Sequence, residues 1–307
     1  MIILQMSGGL GNQMFQYALY LKLKKLGREV KFDDETSYEL DNARPVQLAV
    51  FDITYPRATR QEVTDMRDSS PAWKDRIRRK LKGRNLKQYT EADYSYDEHI
   101  FELDDTYLRG YFQTEKYFSD MRDEIYKTFT MRKDLMTEQT VQYEEDILSN
   151  EQSVSIHIRR GDYMTIEGGE IYAGICTDEF YDSAIKHVLE KYPDAVFYLF
   201  TNDSSWAEYF CNIHSDVNIK VVEGNTEYFG YLDMYLMSRC RHHIVANSSF
   251  SWWGAWLGRD QSGMVIAPDP WFNCSNCADI HTDRMILINP KGELLTDDKG
   301  VRNESEE

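Results

Sequence analysis

Apolar segments alternate with helical segments through the second half of the chain, and this alternation constrains the fold more than any other feature. The apolar segments lie at residues 154–158, 196–201, 219–223, 242–246 and 264–268. Stretches with helical spacing separate them, such as 178–191, which follows the cap-like Thr177. Strands that alternate with helices at this spacing form a parallel sheet with crossover helices. We therefore predict a wound α/β lobe here, with 264–268 as its last strand.

The first half opens with a similar unit. Residues 1–6 predict a short buried strand, and the glycine-rich turn GGLGN (8–12) follows it. Apolar spacing then predicts a helix over 14–26 with Gly27 as its stop, and a second strand lies in REVKFDD (28–34). This order is the start of another wound α/β lobe.

The rest of the first half is less regular. Residues 36–100 are irregular and polar, 104–112 predict a strand, and 113–148 predict mostly helix. The length of 307 residues exceeds the usual size of one domain, so we expect two lobes. The predicted division is an N-terminal α/β lobe over 1–150, a C-terminal Rossmann-like lobe over 151–297 and a flexible acidic tail over 298–307.

Charge and apolar content exclude several classes of protein. The net charge of −17 argues against nucleic-acid binding, which requires a basic surface. No apolar run approaches the roughly 20 residues of a membrane span, and the first residues are too short an apolar run for a signal peptide. We therefore expect a cytoplasmic protein. Its five scattered cysteines do not resemble a disulfide framework.

The segment HIRRGDY (157–163) carries the strongest chemical signal. Alternation along the strand places His157 and Arg159 on the face opposite Ile156 and Ile158. Arg159 comes where the strand ends, and ligands of parallel sheets bind beyond the carboxyl ends of strands. Two guanidiniums there indicate a phosphate-type anion site. The alternative is a structural ion pair between one arginine and Asp162.

The segment NSSFSWWGAWL (247–257) follows a predicted strand and opens a helix. Asn247, Ser248 and Ser249 occupy the turn, where hydroxyls and unpaired backbone N–H groups favour a phosphate. Simple N-capping by a serine is the alternative. The three tryptophans of this segment are predicted to pack in the core rather than to bind a sugar.

The turn GGLGN departs from two known nucleotide motifs. No Gly-Lys-Ser/Thr follows it, and Met14 stands where the third glycine of the dinucleotide fingerprint belongs. The turn still allows a ligand to approach the backbone, with Asn12 as the polar group presented there. A tight turn with no ligand is the alternative.

Weaker signals occur elsewhere. Asp233, near a helix start, could accept hydrogen bonds from a base or merely favour the helix dipole. His242 and His243 are predicted to be structural. Cys274 and Cys277 have half the spacing of a zinc site, and no second pair exists, so we predict no metal.

The segment 73–87 combines eight basic residues with one acidic residue. Trp73, Ile77 and Leu81 recur every four residues, which gives a helix one apolar face. One interpretation is weak contact with the inner face of a membrane. The other is a helix whose apolar stripe packs on the first lobe while its charges are solvated.

Taken together, the three motifs resemble those of the α-1,2-fucosyltransferases of bacteria and vertebrates. The resemblance rests on GGLGNQMFQYA (8–18), HIRRGDY and NSSFSWWGAWL, in that order, and covers about residues 1–290. It implies an α/β fold of GT-B type, with two Rossmann-like lobes and the active site in the cleft between them. It also implies metal-independent, inverting transfer of L-fucose from GDP-β-L-fucose to the 2-hydroxyl of a galactose in an oligosaccharide acceptor. No cofactor is implied beyond the donor substrate itself.

The resemblance also implies roles for individual residues. Arg159 holds the β-phosphate, His157 contacts the nucleotide and Asp233 binds guanine. Ser248 or Ser249 contacts phosphate, and Asn12 lies near the fucose–phosphate bond. The further donor-binding candidates are Gly9, Gln13, Asn202, Asn247 and Phe250. Asp162 is a candidate base that could instead only orient an arginine.

Three other functions remain open. The first is a GDP-fucose-dependent transferase of another linkage. The second is a non-catalytic carbohydrate-binding protein, although a neutral glycan has no use for paired arginines. The third is an NAD-dependent oxidoreductase, against which the missing fingerprint argues.

Overall fold

The computed structural model shows a chain that divides into two compact units. It describes residues 1–40, 45–159, 169–225, 227–273 and 277–297. Unit 1 comprises Met1–Thr130, and unit 2 begins at Met131. Residues 131–150, which were predicted to belong to the first lobe, therefore belong to unit 2. Asp146 supplies one reason, because it accepts hydrogen bonds from Tyr198 Oη (2.9 Å) and Lys220 Nζ (2.6 Å).

Unit 1 is built on a parallel sheet with the strand order β2-β1-β4-β3. Its strands are β1 (Ile2–Gln5), β2 (Val30–Asp33), β3 (Gln88–Thr90) and β4 (Thr106–Arg109). Its helices are α1 (Leu10–Lys25), α2 (Thr36–Leu40), α3 (Arg60–Met66), α4 (Trp73–Lys82) and α5 (Arg122–Thr128).

Two sequence predictions for unit 1 were wrong in detail. Helix α1 begins at Leu10 rather than Met14, because Gly9 already acts as its N-cap in an extended conformation. Besides α4, whose helical pattern is present in the sequence, the described residues within 36–100 form α2, α3 and β3 instead of irregular structure. These elements are short, so apolar periodicity is weak, although Thr59 and Glu62 form a capping box at α3.

Unit 2 contains a six-stranded parallel sheet with the order β10-β9-β8-β5-β6-β7. Its strands are β5 (Ser153–Ile158), β6 (Val196–Thr201), β7 (Ile219–Val221), β8 (His242–Ile244), β9 (Val265–Pro268) and β10 (Met285–Ile288). Its helices are α6 (Glu138–Ser149), α7 (Asp178–Lys191), α8 (Ser204–Ile213), α9 (Gly230–Arg239) and α10 (Ser249–Trp256). The sheet continues beyond the strand at 264–268, predicted as the last, with β10, which pairs with β9.

The two faces of β5 differ as its alternating pattern predicts. Val154, Ile156 and Ile158 join an apolar core with residues of α7 and α8. On the other face, Ser155 Oγ lies 2.9 Å from His243 Nδ1. This face therefore carries the polar groups of the central strand.

The turn between β1 and α1 depends on one glycine. Gly8 has φ +74°, and a Cβ added there would lie 2.4 Å from Asn12 Nδ2. Gly27, beyond the end of α1, has a similar φ of +80° but open space around it. Of these two glycines, Gly8 is therefore the one that combines left-handed backbone with close approach of another side chain.

These two glycines provide a matched test. Gly27→Ala is expected to cost about 1 kcal/mol through backbone strain alone. Gly8→Ala is expected to cost at least about 1 kcal/mol more, because Asn12 must also move. Urea unfolding of both variants measures the difference, and equal losses would contradict the close approach at Gly8.

Candidate active site

The order of strands in unit 2 locates its binding edge. From β5 the chain winds outward through β6 and β7, then returns to the other side of β5 and continues through β8, β9 and β10. This is the order of doubly wound nucleotide-binding sheets, whose ligands bind where the winding reverses. The carboxyl ends of β5 and β8 therefore define the candidate site, and the two motifs 157–159 and 247–250 lie there.

His157 lies on β5 with a side chain that is almost fully buried. Its ring centroid is 5.6 Å from that of Phe250 on α10, which brings the two motifs together. Burial, and secondarily the charge of Arg159, lowers the pKa of His157 to about 3. Its Nδ1 is buried and has no hydrogen-bond partner among the described residues. The lowered pKa favours the neutral imidazole form of His157 at neutral pH.

Arg159 follows the last residue of β5 and is partly exposed. Because Ile158 pairs with Thr201 of β6, Arg159 and the exposed Asn202 leave the sheet at the same edge. Asp162, the candidate base, lies outside the described residues, as does Arg160. The described part of the motif thus contributes one guanidinium beside one neutral imidazole.

The start of α10 forms the other half of the edge. Ser248 is the N-cap, and its Oγ accepts a hydrogen bond from Phe250 N at 3.3 Å. Ser249, the first residue of the helix, is partly exposed. The N-capping role suggested for a serine here is thus confirmed. The positive end of the α10 dipole also lies at this N-terminus.

Asn247 uses its amide to hold a neighbouring segment. Its Nδ2 donates to Tyr172 O at 3.1 Å, and Cys176 Sγ donates to its Oδ1 at 3.4 Å. Asn247 is a predicted donor-binding residue, but neither partner could be predicted from the sequence. No local pattern marks them, because Tyr172 and Cys176 reach Asn247 only through the tertiary fold.

Asp233 lies in the first turn of α9, beside the same edge. Gly230, at the start of this helix, faces the ring of Phe250, since a Cβ there would lie 3.9 Å from Phe250 Cζ. Burial raises the pKa of Asp233 to about 7, and a hydrogen bond from Asn225 Nδ2 (2.7 Å) acts in the opposite direction. A carboxyl group in such surroundings gains from a ligand that donates hydrogen bonds to it.

In unit 1, the glycine-rich turn is held by buried amides. Gln13 is fully buried, and its Nε2 donates to Gly8 O (2.9 Å), while its Oε1 accepts from Gln47 N (2.8 Å). Asn12 is partly exposed, and its Oδ1 accepts from Gln113 Nε2 at 2.7 Å. The structure therefore makes Gln13 a positioning residue of the turn and leaves Asn12 near the surface beside it. Gly9, partly exposed, serves as the helix cap.

A cavity of about 760 Å³ opens at the carboxyl ends of the unit 1 strands. Its lining residues include Ser7, Gly8, Arg67, Glu91, Arg109 and Tyr111. The Glu91 carboxylate accepts from the backbone N–H groups of Tyr111 (2.7 Å) and Phe112 (3.0 Å). Burial raises the pKa of Glu91 to about 7 despite these hydrogen bonds. Neither Glu91 nor Gln113 could be identified from the sequence, because nothing in their local sequence shows that β4 lies between β3 and β1.

The weaker predictions concern the tryptophans of 247–257, the histidines of β8 and a metal site. Trp252, Trp253 and Trp256 are buried, as their predicted core role requires. His242 and His243 are also buried and hydrogen-bonded within the fold. Among the described residues, no group of three or more His, Cys, Asp or Glu side chains could hold a metal ion. Cys274 lies outside that part of the chain.

Comparison with known proteins decides the family. The model of glycosyl transferase family 11 matches residues 1–283. The chain belongs to glycosyl transferase family 11. It is therefore an enzyme that transfers a glycosyl group, and the resemblance drawn from the three motifs is confirmed.

Proteins similar to this chain have related named activities. An Escherichia coli α-1,2-colitosyltransferase is 32% identical, with 88% of this chain and 92% of the relative covered. The Escherichia coli O-antigen biosynthesis glycosyltransferase WbnK is also 32% identical, covering 92% of this chain and 99% of the relative. The mouse galactoside α-(1,2)-fucosyltransferase 1 is 27% identical, and the match covers 81% of this chain and 61% of that protein.

The fold is similar to that of a solved structure. Arabidopsis thaliana FUT1 in complex with GDP matches with a TM-score of 0.50 at 13% identity, covering 88% of this chain and 71% of that chain. Together with the two parallel-sheet lobes, this likeness confirms the predicted α/β, GT-B-like fold class.

Proposed function

We propose that this family 11 enzyme transfers L-fucose from GDP-β-L-fucose to the 2-hydroxyl of a galactose in an oligosaccharide acceptor, with inversion, forming an α-1,2 linkage. The observation that carries the proposal is the edge between β5 and β8, which joins Arg159, His157 and the start of α10. The α-1,2 transfer named for two of its relatives supports the linkage.

The donor site in this proposal lies in unit 2. Arg159 and the N-terminus of α10, with Ser248 and Ser249, bind the diphosphate. The Nδ1 of His157, which has no partner in the part of the chain that the structure describes, exchanges a hydrogen bond with the nucleotide. Asp233 accepts hydrogen bonds from the guanine N–H groups. Asn202, Asn247 and Phe250 border the nucleotide from the ends of β6 and β8.

Bond cleavage places negative charge on the departing GDP and oxocarbenium character on the sugar. Arg159 and the dipole of α10 oppose the charge on the diphosphate, and their fixed positions avoid reorganisation during the reaction. We propose that these groups suffice without a metal ion. The attacking hydroxyl needs orientation, and Asp162 stays the candidate base.

The acceptor site in this proposal lies in unit 1. The cavity beside Gly8 has the volume of a small-molecule site and several polar groups that suit saccharide hydroxyls. Asn12, held by Gln113, is next to Gly8 and would contact the reacting sugar. Gly9 and Gln13 maintain the backbone of this turn.

A second candidate donor follows from one relative. Because the Escherichia coli relative is named for colitosyl transfer, GDP-colitose is an alternative to GDP-fucose. Colitose lacks the 3-hydroxyl of fucose, so the two donors differ by one hydrogen-bonding group.

The test is incubation of the purified protein, in EDTA, with each donor and a panel of galactosides ending in Galβ1,3 and Galβ1,4 units. We expect fucosyl transfer with α-1,2 linkage by product analysis. A strict need for added Mn²⁺ or Mg²⁺ would contradict the metal-independent site. Faster transfer from GDP-colitose than from GDP-fucose would make GDP-colitose the donor. In a separate thermal-shift assay, stabilisation by free sugars but not by GDP would favour a carbohydrate-binding protein.

Substitution of Arg159 tests the diphosphate site. Arg159→Lys keeps the charge but loses the forked pair of donors, so we expect turnover to fall at least ~100-fold. Arg132→Lys, at an exposed ion pair with Asp134, is the matched control and is expected to keep its activity. Steady-state kinetics with varied GDP-fucose measures both, and near-normal turnover of Arg159→Lys would exclude the assigned role.

The raised pKa of Asp233 predicts a pH dependence of GDP binding. The carboxyl group of the ligand-free protein loses its proton as pH rises through about 7. Guanine N–H groups need the carboxylate, so GDP affinity is expected to fall up to about tenfold per pH unit below 7 and to level off above it. Calorimetric titration measures the profile.

Asp233→Asn is the control for this profile. The GDP phosphates titrate in the same way with both proteins, whereas the variant lacks the titrating carboxyl group. The variant is expected to bind weakly and to lose the part of the pH dependence due to the protein. Parallel profiles for the two proteins would show that Asp233 does not contact the base.

A further inference from the structure

Helix α4 (Trp73–Lys82) turns charged side chains toward unit 1 and apolar side chains toward solvent, the opposite of a usual surface helix. No residue of this helix is buried. Its partly shielded residues are Asp75, Arg78 and Arg79, all of them charged. Trp73, Ile77 and Leu81 are 67%, 49% and 78% exposed, and their spacing at 3.6 residues per turn places them on one face. The sequence alternative in which this stripe packs on the first lobe was therefore wrong.

A buried carboxylate holds the inner face of α4. Arg78 Nη1 donates to Asp68 Oδ2 at 3.2 Å, and its Nη2 donates to Asp68 Oδ1. Arg79 Nη2 donates to Ser70 O at 2.6 Å. The Asn85 backbone N–H also donates to Asp68, at 2.9 Å, beyond the end of the helix. The Arg78 guanidinium holds the pKa of Asp68 at about 2, so this attachment persists at any ordinary pH.

Cations flank the outward apolar stripe. Lys74, Arg76 and Lys80 are exposed, and their helical positions lie beside Trp73 and Ile77. An apolar stripe bordered by lysine and arginine is the pattern of helices that lie in the plane of a membrane surface. Such a helix normally exposes its polar face to water. In α4, the charged face is instead attached to Asp68.

We propose that the outward face of α4 docks on an anionic lipid surface. Trp73, Ile77 and Leu81 insert shallowly among the acyl chains, while Lys74, Arg76 and Lys80 contact the anionic headgroups. The contact is peripheral. Among the described residues, no helix is both long and apolar enough to span a bilayer.

Charge complementarity favours a lipid surface over other occupants of this face. A symmetric contact with a second copy of the chain would place the same cations against one another. A soluble polyanion would bind the cations but gain nothing from three exposed apolar side chains. The net charge of −17 repels an anionic surface, but screening limits that repulsion to about 8–10 Å, whereas the cations of α4 would be in direct contact.

The protein contains its own probe for this contact. Its six tryptophans include Trp73 at 67% exposure, whereas Trp206, Trp252, Trp253, Trp256 and Trp271 are at most 8% exposed. A change in emission on docking will therefore come from Trp73. The Trp73→Phe variant supplies the spectrum to subtract.

The experiment mixes the full chain with vesicles of phosphatidylcholine alone or with added phosphatidylglycerol. We expect co-sedimentation and a blue shift of Trp73 emission only with the anionic vesicles, both weakened by salt. Brominated acyl chains are expected to quench Trp73, which a contact limited to headgroup charge would not produce.

Two variants separate the charged and apolar parts of the contact. Lys74→Gln, Arg76→Gln and Lys80→Gln together are expected to weaken vesicle binding about a hundredfold. Ile77→Ser with Leu81→Ser retains the charge and is expected to abolish brominated-lipid quenching. A charge-matched control with Lys127→Gln, Lys133→Gln and Lys291→Gln removes three exposed cations elsewhere and is expected to bind as the unmodified protein does. None of these residues belongs to the donor site, so GDP-induced thermal stabilisation serves as a check on folding.

Three results would overturn the proposal. The first is an unmodified protein that stays in the supernatant with anionic vesicles at low salt. The second is equal loss of binding in the charge-matched control, which would indicate nonspecific attraction. The third is a dimer in solution that the Ile77→Ser, Leu81→Ser variant dissociates, which would make a second copy the occupant.

Discussion

The hydrogen-bonded pairing of β5 with both β6 and β8 determines where the chemistry of unit 2 can occur. Because β6 and β8 continue the sheet in opposite directions, the crossover connections diverge on either side of β5 and leave an opening at its carboxyl end. His157 and Arg159 stand at that opening because the strand ends there. The start of α10 reaches the same opening because β8 is the neighbouring strand.

Buried amides have the corresponding role in unit 1. Gln13 and Gln16 are both fully buried. Gln13 Nε2 donates to Gly8 O in the turn after β1, and Gln16 makes hydrogen bonds with Ser7 after β1 and with Gly110 after β4. Gln16 Nε2 donates to Gly110 O at 2.8 Å, so it joins the ends of two adjacent strands. Satisfied polar groups of this kind specify one arrangement, since leaving any of them unpaired costs about 1–3 kcal/mol. The backbone beside the cavity is therefore fixed before any ligand binds.

The sequence predicted best what local chemistry determines. The helix after Thr177 and the one beginning at Ser249 lie where their capping residues placed them. The roles of Glu91 and Gln113 could not be predicted in this way, because they depend on β4 lying between β3 and β1 rather than on neighbours in the chain. Strand β10 was missed because its four residues follow no helical crossover of recognisable length. The orientation of α4 could not be predicted either, since a helical pattern shows which residues share a face but not which face turns inward.

The contact between Cys176 and Asn247 has a consequence for the chemical resistance of the enzyme. Burial raises the pKa of the Cys176 thiol to about 12, so the thiolate is almost absent at neutral pH. Oxidants and alkylating agents attack the thiolate, and a thiol of this kind is correspondingly inert. The raised pKa of this thiol therefore favours a structural role for Cys176 beside Asn247.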